Sequence, residues 1–177
     1  MVDDSLDPEV LVDELAREVV ALLRGRGEVL ATAESLTGGL LSGAVTSVPG
    51  SSAAYAGGLV TYATPLKVRL LGVPEPLVAE HGVVSAECAR AMAVGARGRT
   101  GADWALSTTG VAGPDTQEGH PAGTVHVGLA GPGGTVSSRL LDLPGDRSEV
   151  RAGTVREALA LLREVLLSAN EGGHGRG

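Results

Sequence analysis

The stretch Glu28-Val29-Leu30-Ala31-Thr32-Ala33-Glu34-Ser35-Leu36-Thr37-Gly38-Gly39, continued to Val48, decides the fold. Its first six residues, apolar but for Glu28 and Thr32, read as a strand. Gly38 to Val48 reads as the helix that follows, so strand, turn and helix succeed one another within twenty-one residues. That succession is the unit of an α/β fold.

The pattern continues outward on both sides. Upstream, Leu11, Leu15, Val19 and Leu22 recur at steps of three and four and predict an amphipathic helix over residues 8–24, stopped by Gly25 and Gly27. Downstream, Gly58 to Tyr62 and Trp104 to Thr108 read as strands, and Ser85 to Arg97 as an Ala-rich helix. Thr124 to Leu129 and Thr135 to Leu143 flank Gly131-Pro132-Gly133-Gly134 and predict a hairpin. A last helix over residues 147–168 carries Val155, Leu159, Leu162 and Leu166 on one stripe. Alternating helices and strands followed by a hairpin predict a single-domain three-layer α/β/α sandwich with a mixed sheet. The expected organisation is an extension over 1–8, one domain over 9–168, and a disordered Gly-rich tail over 169–177.

Composition narrows the function. Acidic residues outnumber basic ones 21 to 14, a net charge of −7 that disfavours a nucleic-acid-binding face. With one Trp, two Tyr and no Phe, base-stacking platforms are lacking and the core rests on Ala, Val and Leu. Cys88 is the only cysteine, expected to be a buried structural thiol, and a disulfide within the chain is impossible. His81, His120, His126 and His174 are scattered without ligand spacing, so no metal site is expected. His120 reads as solvated, and His126 as an outward-facing strand residue. The acidic start resembles no signal peptide and no apolar run is long enough to span a bilayer. A cytoplasmic protein without membrane contact, a dimer by default, is the expectation.

Three turn-rich stretches carry chemistry. In Ala33-Glu34-Ser35-Leu36-Thr37-Gly38-Gly39 a hydroxyl follows a strand and precedes a helix, where free N–H groups can hold an oxyanion or phosphate. On spacing alone, Ser35 or Thr37 is more simply read as a plain helix N-cap. Thr61-Tyr62-Ala63-Thr64-Pro65-Leu66-Lys67 contains the only lysine among fourteen basic residues. Lysine, unlike arginine, can lose its proton when desolvated, as a serine's base must; an arginine-biased composition leaves one lysine just as readily. Ser107-Thr108-Thr109-Gly110-Val111-Ala112-Gly113-Pro114-Asp115 is a strand end running into a loop of exposed amides, or a plain tight turn. Asp142, Asp146 and Arg147 read as turn and capping residues.

In series, these stretches resemble the CinA C-terminal-domain family of nicotinamide-nucleotide amidohydrolases. Gly50-Ser51-Ser52-Ala53, His81-Gly82-Val83-Val84-Ser85, Gly123-Thr124-Val125 and Gly145-Asp146-Arg147 extend the match over about residues 9–168. The resemblance implies hydrolysis of the carboxamide of nicotinamide mononucleotide, with no metal or organic cofactor. It implies Ser35 as nucleophile, Lys67 as base assisted by Tyr62, and Thr109 as a positioning hydroxyl. Thr37, Gly38, Gly39, Gly110, Gly113 and Arg147 are the implied substrate-binding residues. An oxyanion donor among the N–H groups after Ser35 is expected from the turn. The chain departs from the family at Leu36, at Ala63-Thr64, and at Asp115-Thr116-Gln117, where a Gly-Gly pair is usual. A silent nucleotide-binding or regulatory module, and a Ser-Lys amidase for another amide, are the competing functions.

Overall fold

A computed structural model describes residues 8–171. Five strands lie in the order β2-β1-β3-β4-β5: β1 (Leu30–Glu34), β2 (Tyr55–Val60), β3 (Trp104–Gly110), β4 (Thr124–Ala130) and β5 (Val136–Asp142). β1 is parallel to both β2 and β3, whereas β3-β4 and β4-β5 are antiparallel. The sheet is therefore mixed, as expected. β1 is buried at all five positions. A strand covered on both faces shows a continuous apolar run instead of an alternation, which is why its sequence reads so clearly.

Helices cover both faces. α1 (Pro8–Arg26), α2 (Leu40–Thr46) and α6 (Arg147–Glu171) pack on one side. There Val19, Leu23, Leu41, Val45, Leu159 and Leu162 meet Leu30 and Leu106. α3 (Thr64–Leu71), α4 (Glu75–His81) and α5 (Ala86–Thr100) lie on the other, where Met92, Cys88 and Leu71 meet Ala31, Ala33 and Ala105. Each fully buried Leu contributes about 1.5–3 kcal/mol. Small residues let α5 approach closely: a Cβ on Gly128 of β4 would lie 2.2 Å from the Ala89 carbonyl oxygen.

Several elements differ from their sequence reading. The strand placed at 58–62 runs from Tyr55 to Val60, because Gly57 and Gly58 interrupt its apolar pattern. α3 and α4 were not anticipated; each is short, with proline in its first turn. The helix expected from Gly38 begins at Leu40, since Gly38 and Gly39 adopt φ of +58° and +104°. α6 continues to Glu171, so residues 169–171 are helical and not tail. Pro8, placed in the expected 1–8 extension, begins α1; residues 1–7 of that extension and the remainder of the tail lie outside the described residues. No helix among the described residues is long and apolar enough to cross a membrane.

Candidate active site

The chain leaves β1 toward β2 and then crosses over to place β3 on β1's other side. A crevice opens at such a reversal, beyond the carboxyl ends of the strands. Here the turn after β1 brings Ser35 and the turn after β3 brings Thr109 to Gly113. They form a cleft of ≈ 350 Å³ lined also by Tyr62, Lys67, Asp115, Thr116, Gln117 and Arg147.

Lys67, on the second turn of α3, is 1% exposed. Its Nζ lies 3.0 Å from Ser35 Oγ, 2.8 Å from the Thr61 carbonyl oxygen and 3.3 Å from that of Tyr62. Burial lowers its pKa below the ordinary 10.5, against an opposing pull from the charges of Cys88 and Glu118. A neutral amine has two hydrogens and one lone pair. With the two carbonyls accepting the hydrogens, the lone pair is left for the Ser35 hydroxyl. Residue type made both candidates and the family resemblance paired them, but only the fold brings them together.

The start of α2 is organised by a residue the sequence reading passed over. Neither Ser35 nor Thr37 caps the helix. Instead the buried Glu34 carboxylate accepts from the Gly39, Leu41 and Ser42 amides and from Ser42 Oγ. Those N–H groups are thereby unavailable to an external anion. Among the described residues, the Leu36 and Thr37 amides have no partner. Arg151 holds the other side of the turn, donating through Nε to the Leu36 carbonyl and through Nη2 to that of Thr37. In a trans peptide the N–H points opposite its carbonyl, so the Thr37 amide is turned away from α6. Arg151 lies one helical turn after Arg147, a spacing that places the two on one face.

Other expected site residues separate into two groups. Gly110 and Gly113 line the cleft, and Arg147 stands at its rim. Arg147 donates through Nη1 to the Gly113 carbonyl at 2.9 Å and through Nη2 to the Tyr62 hydroxyl at 3.0 Å. The Tyr62 side chain is 58% exposed, so its backbone carbonyl, not its phenol, meets Lys67. The expected assistance of the base by that phenol is absent from this arrangement. The Thr109 hydroxyl lines the cleft while donating to the Val83 carbonyl. Thr37, Gly38 and Gly39 do not line it; the Thr37 hydroxyl is buried against that of Thr108, 2.8 Å away.

Of the remaining sequence readings, Cys88 is buried, and burial raises its thiol pKa to about 11. His126 does not simply face out. It is half-buried, its Nδ1 has no partner among the described residues, and burial lowers its pKa. Asp146 caps α6 by accepting from the Ser148 and Glu149 amides, and Glu149 accepts from the Asp146 amide in return. That reciprocal pair is a capping box. Among the described residues no cluster of three or more His, Cys, Asp or Glu suited to a metal occurs.

The CinA C-terminal domain profile matches residues 12–166. The chain belongs to the CinA family. A CinA-like protein of Frankia casuarinae is 54% identical over 154 residues, covering 87% of this chain and 35% of that protein. A CinA-like protein of an Anaeromyxobacter species is 53% identical, covering 87% and 38% respectively. The chain thus spans little more than a third of the length of these curated relatives. Among solved structures, a CinA superfamily protein from Klebsiella pneumoniae superposes with a TM-score of 0.86 at 37% identity, covering 89% of this chain and 98% of that one. The competence/damage inducible protein CihA from Agrobacterium tumefaciens gives 0.84 at 38% identity, covering 88% and 95%. The three-layer α/β fold is that of the CinA superfamily.

Proposed function

We propose that this CinA domain hydrolyses the carboxamide of nicotinamide mononucleotide to nicotinate mononucleotide and ammonia. The observation that carries the reading is the buried Lys67 amine 3.0 Å from Ser35 Oγ, at the wall of an open cleft. Ser35 Oγ attacks the amide carbon while Lys67 takes the hydroxyl proton. Collapse of the tetrahedral intermediate breaks the C–N bond, and Lys67 returns that proton to the departing nitrogen as ammonia. Water then attacks the acyl-enzyme, again deprotonated by Lys67, and the carboxylate leaves as Ser35 regains its hydrogen. The unpartnered amide of Leu36, the residue next to Ser35 on the cleft wall, is the donor for the oxyanion.

The rest of the cleft suits a nucleotide. Its volume lies within the range of small-ligand sites. Arg147 offers the substrate phosphate a planar pair of N–H donors at the rim, exchanging its Tyr62 contact for a charge-assisted one. Arg147→Ala is accordingly expected to raise KM for nicotinamide mononucleotide roughly 10–100-fold and to change kcat little; steady-state kinetics on the variant checks this.

The test of the reading is ammonia release from nicotinamide mononucleotide by the purified protein, with identification of nicotinate mononucleotide as co-product. Turnover of another amide in its place would keep the Ser-Lys chemistry and reject the substrate. Absence of turnover, with thermal stabilisation by the nucleotide, would make the domain a binding module.

A further inference from the structure

The segment between Gly113 and Ala122 forms the outer wall of the cleft through Asp115, Thr116 and Gln117. Its tip is a tight turn in which Gln117 and His120 exchange both backbone hydrogen bonds, at 3.1 and 2.8 Å. Both central residues have positive φ, Glu118 at +52° and Gly119 at +79°. Turns of that kind favour Asn, Asp or Gly at the first central position. Glu118 is the only non-glycine residue with positive φ among the described residues. A residue held in a disfavoured conformation implies that something nearby requires its side chain there.

That requirement is visible at the carboxylate. Glu118 Oε1 accepts from the Val83 amide at 3.1 Å, and Oε2 from the Val84 amide at 2.9 Å. The approach depends on Gly82: a Cβ there would lie 2.5 Å from Glu118 Oε2. Val83 is held a second time, because its carbonyl accepts from the Thr109 hydroxyl at 2.6 Å. Val83 and Thr109 both line the cleft. A single side chain therefore ties the outer wall to the segment ahead of α5 and, through Thr109, to the end of β3.

We propose that Glu118 is a latch: its carboxylate, seated on the Val83 and Val84 amides, holds the 113–122 segment as a preformed wall of the cleft. It is a positioning residue that sets how tightly substrate is held, not the rate of the chemical step. This rests on the proposed amidohydrolase reading only for the identity of the substrate. The wall presents a carboxylate, a hydroxyl and an amide. Such groups hydrogen-bond a ribose diol, and the Asp115 carboxylate opposes a second anionic group.

Two measurements test the latch. The first needs no substrate: amide hydrogen exchange at Val83 and Val84 in the wild-type protein, in Glu118→Ala, and in Glu118→Gln. Glu118→Ala is expected to accelerate exchange at both amides about tenfold or more, with β3 core amides unchanged as the control for folding. Glu118→Gln, which keeps one carbonyl-type acceptor, falls between the two. Unchanged exchange at Val83 and Val84 in Glu118→Ala would overturn the latch. The second is steady-state kinetics on nicotinamide mononucleotide at the alkaline plateau of the rate profile, where Lys67 is neutral with or without the Glu118 charge; there Glu118→Ala raises KM roughly tenfold and holds kcat within about twofold. A fall in kcat at unchanged KM would overturn the assignment to substrate holding. Faster exchange in the variant, with no turnover by wild type, would leave the latch standing and reject the substrate reading instead.

Discussion

Lys67→Arg lowers turnover of nicotinamide mononucleotide by about 10³-fold or more, although the variant keeps a cation of similar reach. A guanidinium does not surrender its proton in a protein, so the Ser35 hydroxyl loses its acceptor. Ser35→Ala is equally inactive for a different reason, since no oxygen remains to form the acyl-enzyme. The two losses do not add in the double variant, because serine and lysine act as one unit. Rates of ammonia release from the three variants, compared with wild type, check this. Turnover that survived Ser35→Ala would remove the nucleophile from the mechanism.

The same lysine sets the pH dependence. Only its neutral form accepts the proton, and burial lowers its pKa below 10.5. Below that lowered pKa, kcat/KM rises about tenfold per pH unit, then levels off before pH 10.5 is reached. Stability follows the same sign. The unfolded chain binds the lysine proton more tightly than the folded one, so burial of Lys67 costs stability below its folded pKa. That cost is relieved as pH rises from the folded pKa toward 10.5. A rate profile whose midpoint lay at or above 10.5 would contradict a desolvated base.

The second large effect falls on stability. Glu34→Ala strands three amides at the start of α2, all of them bound to one buried carboxylate, while the Ser42 hydroxyl keeps those of Thr32 and Tyr55 as partners. Leaving buried donors unsatisfied is far costlier than the net value of the bonds, and about 3–5 kcal/mol is expected here. For a domain of this size that lowers Tm by roughly 10 °C. Glu34→Gln keeps one carbonyl oxygen and loses less. Urea denaturation of both variants beside Ser35→Ala makes the comparison informative. Ser35→Ala changes stability by less than about 0.5 kcal/mol if Glu34 is the cap, but by about 1 kcal/mol if the serine were. An undiminished Glu34→Ala protein would mean that α2 starts without its carboxylate.

These effects show where local sequence sufficed. Leu30 to Ala33, apolar but for Thr32, marked a buried central strand, because a strand covered on both faces shows a continuous apolar run instead of an alternation. The stripe of Val155, Leu159, Leu162 and Leu166 likewise determined α6, since its apolar period is helical whatever it packs against. Ser35 and Lys67 were visible as candidates through residue type: a hydroxyl in a strand-to-helix turn and the sole lysine of the chain.

Tertiary structure decided the rest, because the deciding contacts join residues distant in the chain. Thirty-two positions separate Lys67 from Ser35, and 115 separate Arg151 from Leu36. No local pattern encodes a distance of 3.0 Å between Nζ and Oγ. Glu34 in sequence is one acidic residue beside a serine; its role as cap appears only when Gly38 and Gly39 fold the helix start back over its carboxylate. Tyr62 shows the converse, since its motif placed a phenol beside the base while the fold turns that phenol out to Arg147. Sequence alone determined which chemical groups the protein has and which elements carry them. The side on which β3 joins the sheet, and the helices packed against it, decided which of those groups meet.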